Sequence, residues 1–247
     1  MAPGQSTTLS YFIIRYNPPM KYEWLLFDAD NTLFDYDKAE AAALASTFEH
    51  FQLPFDQEAA AAYRRINGRI WIEFEQGLIS QEALRAERFV RLFQFLHIDT
   101  DAEDFSAEYL HQLGRGTFLI PGADALLAAL NPRCQLLLIT NGIPDVQRPR
   151  LAASTIQQHF PKIVISGEVG AAKPDPKIFD AAFRLMGWPS REKVLIIGDS
   201  ISSDIRGGQD YGIDTCWYNP NGRVPAGNVQ PTYEIRELQQ ILVIVGD

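Results

Sequence analysis

Cysteine is scarce: the 247 residues include two, Cys134 and Cys216, far too distant from each other for the short ligand spacing of a zinc site. Both stand beside apolar runs, so they are expected as buried thiols in a reducing compartment. No cluster of lysine and arginine stands out either. With 22 basic against 31 acidic residues the net charge is −9, which argues against a nucleic acid polymer as partner, because that grip rests on neutralising phosphates. No run approaches the roughly 18 apolar residues of a membrane helix. Residues 1–20 lack the basic start and long apolar stretch of a signal peptide. They are expected to form a flexible N-terminal tail on a cytoplasmic protein, monomer or homodimer, with no membrane partner. Internal repeats are missing too, and 46% apolar with 21% charged residues is the composition of a globular protein.

What is present is a series of short apolar runs without polar alternation: 22–27, 134–140, 162–166, 193–199 and 214–218. Such runs suit strands covered on both faces of a parallel sheet. Helical spacing fills the gaps over Ala123–Leu130, Val146–Gln158, Ile178–Met186 and Ile201–Tyr211, so the pattern predicts an α/β fold with right-handed crossovers. The interval 35–117 is different. Its helical stretches, among them 38–51, 56–77 and 80–96 with Ser80 as N-cap, predict an inserted all-helical domain. The expected organisation is a tail (1–20), an α/β core (21–34 and 118–247) and a helical cap (35–117) entering directly after the first strand.

Four motifs follow the apolar runs. In "WLLFDADNTLF" (24–34), Asp28 and Asp30 stand two apart, and on an extended chain both carboxylates face one side. With an ordinary carboxyl pKa of about 3.9, Asp28 is ionised at neutral pH and needs no base to act as a nucleophile. Asp30 suits proton transfer, first to a leaving oxygen and then from water. The plain alternative is a turn, for which Asp and Asn are also suited. "LLLITNG" (136–142) offers the Thr140 hydroxyl, the Asn141 amide and, at Gly142, close backbone approach to an anion, or simply a turn. In "KPDPKIF" (173–179), Asp175 reads as an N-cap with Pro176 at the first helical position, leaving Lys173 able to point back into a site. "IIGDSISSDI" (196–205) supplies Asp199 and Asp204, oxygen donors suited to Mg²⁺.

Together the motifs say more than each alone, since ligands of doubly wound sheets bind beyond the carboxyl ends of the strands. Asp28, Asp30, Asp199 and Asp204 carry four negative charges. A divalent ion and Lys173 return three, and protonation of Asp30 brings the sum to zero.

These elements, in this order, resemble the haloacid dehalogenase superfamily, whose D-x-D-x-T/V signature is matched by "DADNT", second motif by "TN", third by Lys173 and fourth by "GDSISSD". The resemblance implies a Rossmann-like, doubly wound parallel sheet of strand order 3-2-1-4-5 with a cap between the first two motifs. It implies Asp28 as nucleophile and Asp30 as general acid/base, Thr140, Asn141 and Lys173 at the substrate phosphate, and Mg²⁺ held by Asp28, the Asp30 backbone carbonyl, Asp199 and Asp204, the last directly, through water or by orienting Lys173. An acid at position 30 favours a phosphatase over a dehalogenase. More narrowly, "WIEFEQGLIS", "ISGEVGAAKPDPKIFDAA" and "GIDTCWYNP" are similar to bacterial pyrimidine 5′-nucleotidases. That similarity implies hydrolysis of small-molecule phosphomonoesters, pyrimidine nucleoside 5′-monophosphates including non-standard ones, with Trp71 and Phe74 in the base pocket; these aromatics could equally pack within the cap. The alternatives are the same chemistry on a sugar phosphate or phosphoglycolate, phosphotransfer within a sugar phosphate, and a non-enzymatic phospho-acceptor module. No role is expected of His50, His97, His111 or His159.

Overall fold

The structure, a computed structural model, describes residues 20–225 and 227–246; the expected tail, apart from Met20, lies outside them. Strands form where the apolar runs lie, β1 (Trp24–Phe27), β2 (Gln135–Thr140), β3 (Lys162–Ile165), β4 (Val194–Gly198) and β5 (Asp214–Tyr218), and a short β6 (Tyr233–Ile235) forms outside them. They pair in parallel in the order β3-β2-β1-β4-β5-β6. The expected order is therefore found and extended by one strand. Within β1, Leu25 and Phe27 enter one apolar cluster while Leu26 enters another on the opposite face, which is why the run is apolar at every position.

Helices α1 (Tyr36–His50), α2 (Gln57–Glu75), α3 (Gln81–Leu96) and α4 (Ala102–Gly114) lie between β1 and β2, followed by α5 (Ala123–Leu130). Each of the first four begins at an acid or serine whose side chain accepts from the first turn: Asp35 from Lys38 N, Asp56 from Ala59 N, Ser80 from Ala83 N and Asp101 from Asp104 N. The insert leaves and returns on adjacent backbone segments, with Asp35 N donating to Phe118 O at 2.9 Å and Ile120 N to Leu33 O at 2.8 Å. Its apolar cluster, built on Phe48, Tyr63, Phe89 and Phe105, also takes in Ile143 and Val146, so the insert is packed onto the chain that follows β2.

The remaining helices are α6 (Pro144–Ala153), α7 (Ser166–Val169), α8 (Pro176–Met186), α9 (Arg206–Tyr211) and α10 (Ile241–Gly246). Two expectations need correction. The helix expected over Val146–Gln158 ends at Ala153 and resumes as a 3₁₀ turn over Thr155–His159. Ser154 between them is extended, and its hydroxyl accepts from Ile156 N at 3.4 Å, a local bond that competes with helix continuation. The helix expected over Ile201–Tyr211 starts as a wide π turn, Ile201–Ile205, before α9. Both cysteines are free and buried, and no helix among the described residues is long and apolar enough to cross a membrane.

Candidate active site

Beyond β1 the chain turns sharply at Asn31, which takes a left-handed conformation (φ +56°) that asparagine tolerates better than most residues. Asn31 Oδ1 accepts from Tyr36 N at 3.2 Å, tying the turn to α1. Asp28 and Asp30 thereby line one cavity of about 470 Å³ together with Thr140, Asn141, Lys173, Asp199, Asp204 and Trp71. The turn and the site are the same feature. Phe74 lines an adjoining cavity and stands edge-on to Trp71, with centroids 5.6 Å apart. None of the four histidines lines the catalytic cavity.

Lys173 is the buried centre of the group. Its Nζ donates to Asp28 Oδ1 at 2.6 Å, to Asp204 Oδ1 at 2.7 Å and to Ile139 O at 2.9 Å, so all three ammonium protons are placed. Asn141 uses both ends of its side-chain amide on the Lys173 backbone, donating to its carbonyl at 2.8 Å and accepting from its N–H at 2.7 Å. Asn141, expected at the phosphate, lines the cavity, and its side-chain amide fixes the lysine loop. The Thr140 hydroxyl accepts from Gly142 N at 3.0 Å, leaving its own proton to donate. Asp204 also accepts from Ser200 N at 3.0 Å; it fits there because residue 198 is glycine, where a Cβ would lie 2.2 Å from the Asp204 Cγ.

Electrostatics correct the simplest expectation about Asp28. Burial, with the charges of Asp204, Asp199 and Asp30, pushes its carboxyl above the usual range against the pull of Lys173. Asp28 therefore ionises less readily than an exposed carboxyl, and Lys173 is the cation that favours its charged form. Burial would lower Lys173, but Asp204 and Asp28 overcome it and hold the ammonium charged. Asp199 is pushed up to about 7 by burial and then by Asp204. One carboxylate oxygen from each of Asp28, Asp199 and Asp204 lies within 4.8 Å of the others. Against these three acids stand Lys173, which is buried, and Arg223, whose Nη2 lies 3.4 Å from Asp199 Oδ2, so negative charge is left over, and hard oxygen donors suit Mg²⁺: donor set and charge both fit a divalent ion.

Asp30 is held by two donors from α6. Arg150 Nη2 donates to Asp30 Oδ1, and Gln147 Nε2 donates to Asp30 Oδ2 at 2.6 Å. Arg150 is fully buried, bonded to Gln147 Oε1 at 2.8 Å and seated over the Phe34 ring at 4.6 Å. Gly142 makes room for this arrangement, since a Cβ there would meet Gln147 Nε2 at 2.1 Å. Reasoning from sequence missed Gln147 and Arg150, and also Arg223, whose Nη2 donates to Asp199 O at 2.7 Å. No local pattern marks them.

A pH dependence follows for the metal-free protein. Asp199 is raised to about 7, and Glu40 in the insert, also by burial, to about 7. Unfolded carboxyls titrate near 4, so between about pH 4 and 7 the native state holds more protons and stability falls as pH rises. The urea midpoint should therefore drop between about pH 5.5 and 8, and Mg²⁺ should raise it more at the higher pH, because metal ligands must be ionised. Chemical denaturation with and without Mg²⁺ checks both signs.

Comparison with known proteins agrees with this geometry. The haloacid dehalogenase-like hydrolase family matches residues 22–212. The pyrimidine 5′-nucleotidase YjjG of Escherichia coli is 34% identical over 90% of this chain and 99% of its own length; the pyrimidine 5′-nucleotidase PynA of Streptococcus pneumoniae is 36% identical over 90% and 94%. The magnesium-bound crystal structure of YfnB from Bacillus subtilis superposes with a TM-score of 0.87 at 36% identity, covering 91% of this chain and 98% of that one. By the match over residues 22–212 and the likeness to relatives 34% and 36% identical over 90% of its length, the chain belongs to the haloacid dehalogenase-like hydrolase family.

Proposed function

We propose that this protein is a cytoplasmic, Mg²⁺-dependent phosphatase that hydrolyses pyrimidine nucleoside 5′-monophosphates through a phosphorylated Asp28. The observation that carries the reading is the contact of one buried lysine with both Asp28 and Asp204 in a cavity of about 470 Å³. Likeness to two pyrimidine 5′-nucleotidases over nine-tenths of the chain supports the substrate class.

Asp28 attacks phosphorus, and the nucleoside oxygen leaves with a proton from Asp30. Asp30 then takes a proton from the water that attacks the phosphoryl-aspartate, releasing phosphate and restoring Asp28. As Asp28 attacks, the Lys173 proton now given to Asp28 Oδ1 would turn to a phosphoryl oxygen, the Thr140 hydroxyl proton would donate to another, and Asn141 positions Lys173. Asp28, Asp199 and Asp204, with the Asp30 backbone carbonyl, would hold the ion, which supplies neutralisation of the phosphoryl charge. The helical insert is the cap: Trp71 and Glu75 of α2 line the cavity, and beside the adjoining cavity Gln81 Nε2 of the insert donates to Ser166 Oγ at 3.3 Å; closure over bound substrate would keep bulk water from the reacting atoms. Trp71 offers its face to the base, with Phe74 behind it.

Phosphate release with Mg²⁺ from UMP, dUMP, dTMP and a halogenated analogue, set against purine nucleotides and sugar phosphates, tests the substrate class. Pyrimidine nucleotides should be preferred; equal rates on the purines would remove the pyrimidine assignment.

The Gln147–Arg150 clamp makes a separate prediction. Gln147→Ala and Arg150→Met free the Asp30 carboxylate from its fixed position and should lower kcat/KM for UMP by about 10- to 100-fold, part of the usual general-acid contribution. With p-nitrophenyl phosphate, whose leaving group needs little protonation, the loss should be much smaller. Equal losses on both substrates would show that the clamp does not act through Asp30.

A further inference from the structure

The insert holds a polar group whose bonding is incomplete. Arg88, on α3, is 1% exposed, yet makes no ion pair with a carboxylate of the described residues. Its Nε donates to Arg85 O at 3.2 Å and its guanidinium lies 5.0 Å from the Tyr109 ring centroid, while Nη2 has no hydrogen-bond partner. The hydroxyls of Tyr63 and Tyr109 and the Oδ1 of Asn67 are also buried without partners. Glu40 is bonded to Asn67 Nδ2 at 3.0 Å rather than to the arginine. Buried polar atoms are nearly always satisfied, and a buried cation almost always paired. Of these groups Arg88 is the one that lines a cavity beside the site, and its unpaired guanidinium points to an absent partner there.

The place for that partner adjoins the catalytic cavity. Arg88 lines a recess of about 20 Å³ together with Asp30, Tyr36, Trp71, Gly142 and Gln147. Asp30, Tyr36, Trp71 and Gly142 line the 470 Å³ cavity as well, so the recess is its inner extension. A space of that size admits one water-sized atom and no ring. The arginine offers donors only. The geometry therefore selects a single acceptor oxygen projecting from a larger group that stays in the main cavity beside Trp71.

We propose that Arg88 is a specificity-determining residue that donates from its guanidinium to a ring carbonyl oxygen of the pyrimidine nucleotide. This rests on the nucleotidase reading above and names how the base is read. A ring that fills the cavity without a carbonyl leaves the buried guanidinium unpaired, and sites built to hydrogen-bond a substrate reject analogues lacking the partner far more strongly than pockets that sense shape alone. Uracil and thymine offer two such oxygens, cytosine one and adenine none.

The experiment compares kcat/KM for UMP, for the 5′-monophosphate of a benzene riboside, which has a ring of similar size and no carbonyl, and for ribose 5-phosphate. It uses the wild type, Arg88→Met and Arg88→Lys. The wild type should favour UMP over the benzene analogue by about 10- to 100-fold. That ratio should collapse in Arg88→Met and be partly kept in Arg88→Lys. A wild type that hydrolyses the two ring substrates equally well overturns the proposal without recourse to any variant, as does an Arg88→Met enzyme that keeps the wild-type ratio. Ribose 5-phosphate separates the two levels: if the wild type hydrolyses it as well as UMP, the nucleotide reading itself fails.

Discussion

Asp28→Asn should abolish turnover, lowering kcat for UMP by at least about 10⁴-fold, because no other group in the cavity can replace the attacking oxygen. The same substitution should leave the metal-free protein as stable as the wild type, or more so. Asp28 is buried beside Asp204 and Asp199 and shares one lysine with Asp204, and an amide of the same shape removes one acid from that crowd. Nucleophile positions are where stability is given up for function. Steady-state assay and urea denaturation of one purified variant test both halves. Residual turnover within about 100-fold of wild type would remove Asp28 from the chemistry.

Lys173→Met should do harm in both respects. It takes away the charge that contacts Asp28 at 2.6 Å and Asp204 at 2.7 Å and leaves both acids buried without a cation. Breaking a buried ion pair from one side costs about 3–5 kcal/mol, and the phosphoryl oxygens lose a donor whose removal is worth about 10²- to 10³-fold in rate. The metal-free variant should unfold at markedly lower urea, with Mg²⁺ recovering part of the stability and little of the activity. A stability change below about 1 kcal/mol would show that the lysine is not balancing the acids. The contrast with Asp28→Asn is the informative part: two residues 2.6 Å apart, both needed for turnover, with opposite effects on folding.

The sheet was legible because each strand is an apolar run bounded by polar residues, and the parallel pairing follows from the helical stretches between them. Strand β6 was not legible, since three residues with one buried among them carry no period. Helix α4 fell inside the expected helical interval without being singled out, and Ser154 broke a helix whose periodicity looked continuous. At the site, Asp28, Asp30, Thr140 and Asp199 could be found because each stands at or just past the end of an apolar run, where a parallel sheet gathers ligands, and Lys173 because it precedes the N-cap of α8. The residues that hold those groups could not. Arg150 meets Asp30 across 120 positions and Gln147 meets it across 117, and on α6 both look like ordinary helical polar residues. Gly142 was read as a turn or an anion-binding glycine; its lack of a side chain in fact lets Gln147 pass to Asp30. Arg88 falls on the apolar stripe of α3, in line with Leu84 and Leu92, so its burial was legible in the helical spacing, though its unpaired guanidinium was not.

The account stands on Asp28 carrying the phosphoryl group between substrate and water. The most direct measurement is the stereochemical course at phosphorus, with a nucleoside 5′-phosphorothioate made chiral by oxygen isotopes and hydrolysed in labelled water. Two successive in-line displacements, one by Asp28 and one by water, predict overall retention of configuration; inversion would mean that water attacks the substrate directly and would contradict the assignment of Asp28 as nucleophile.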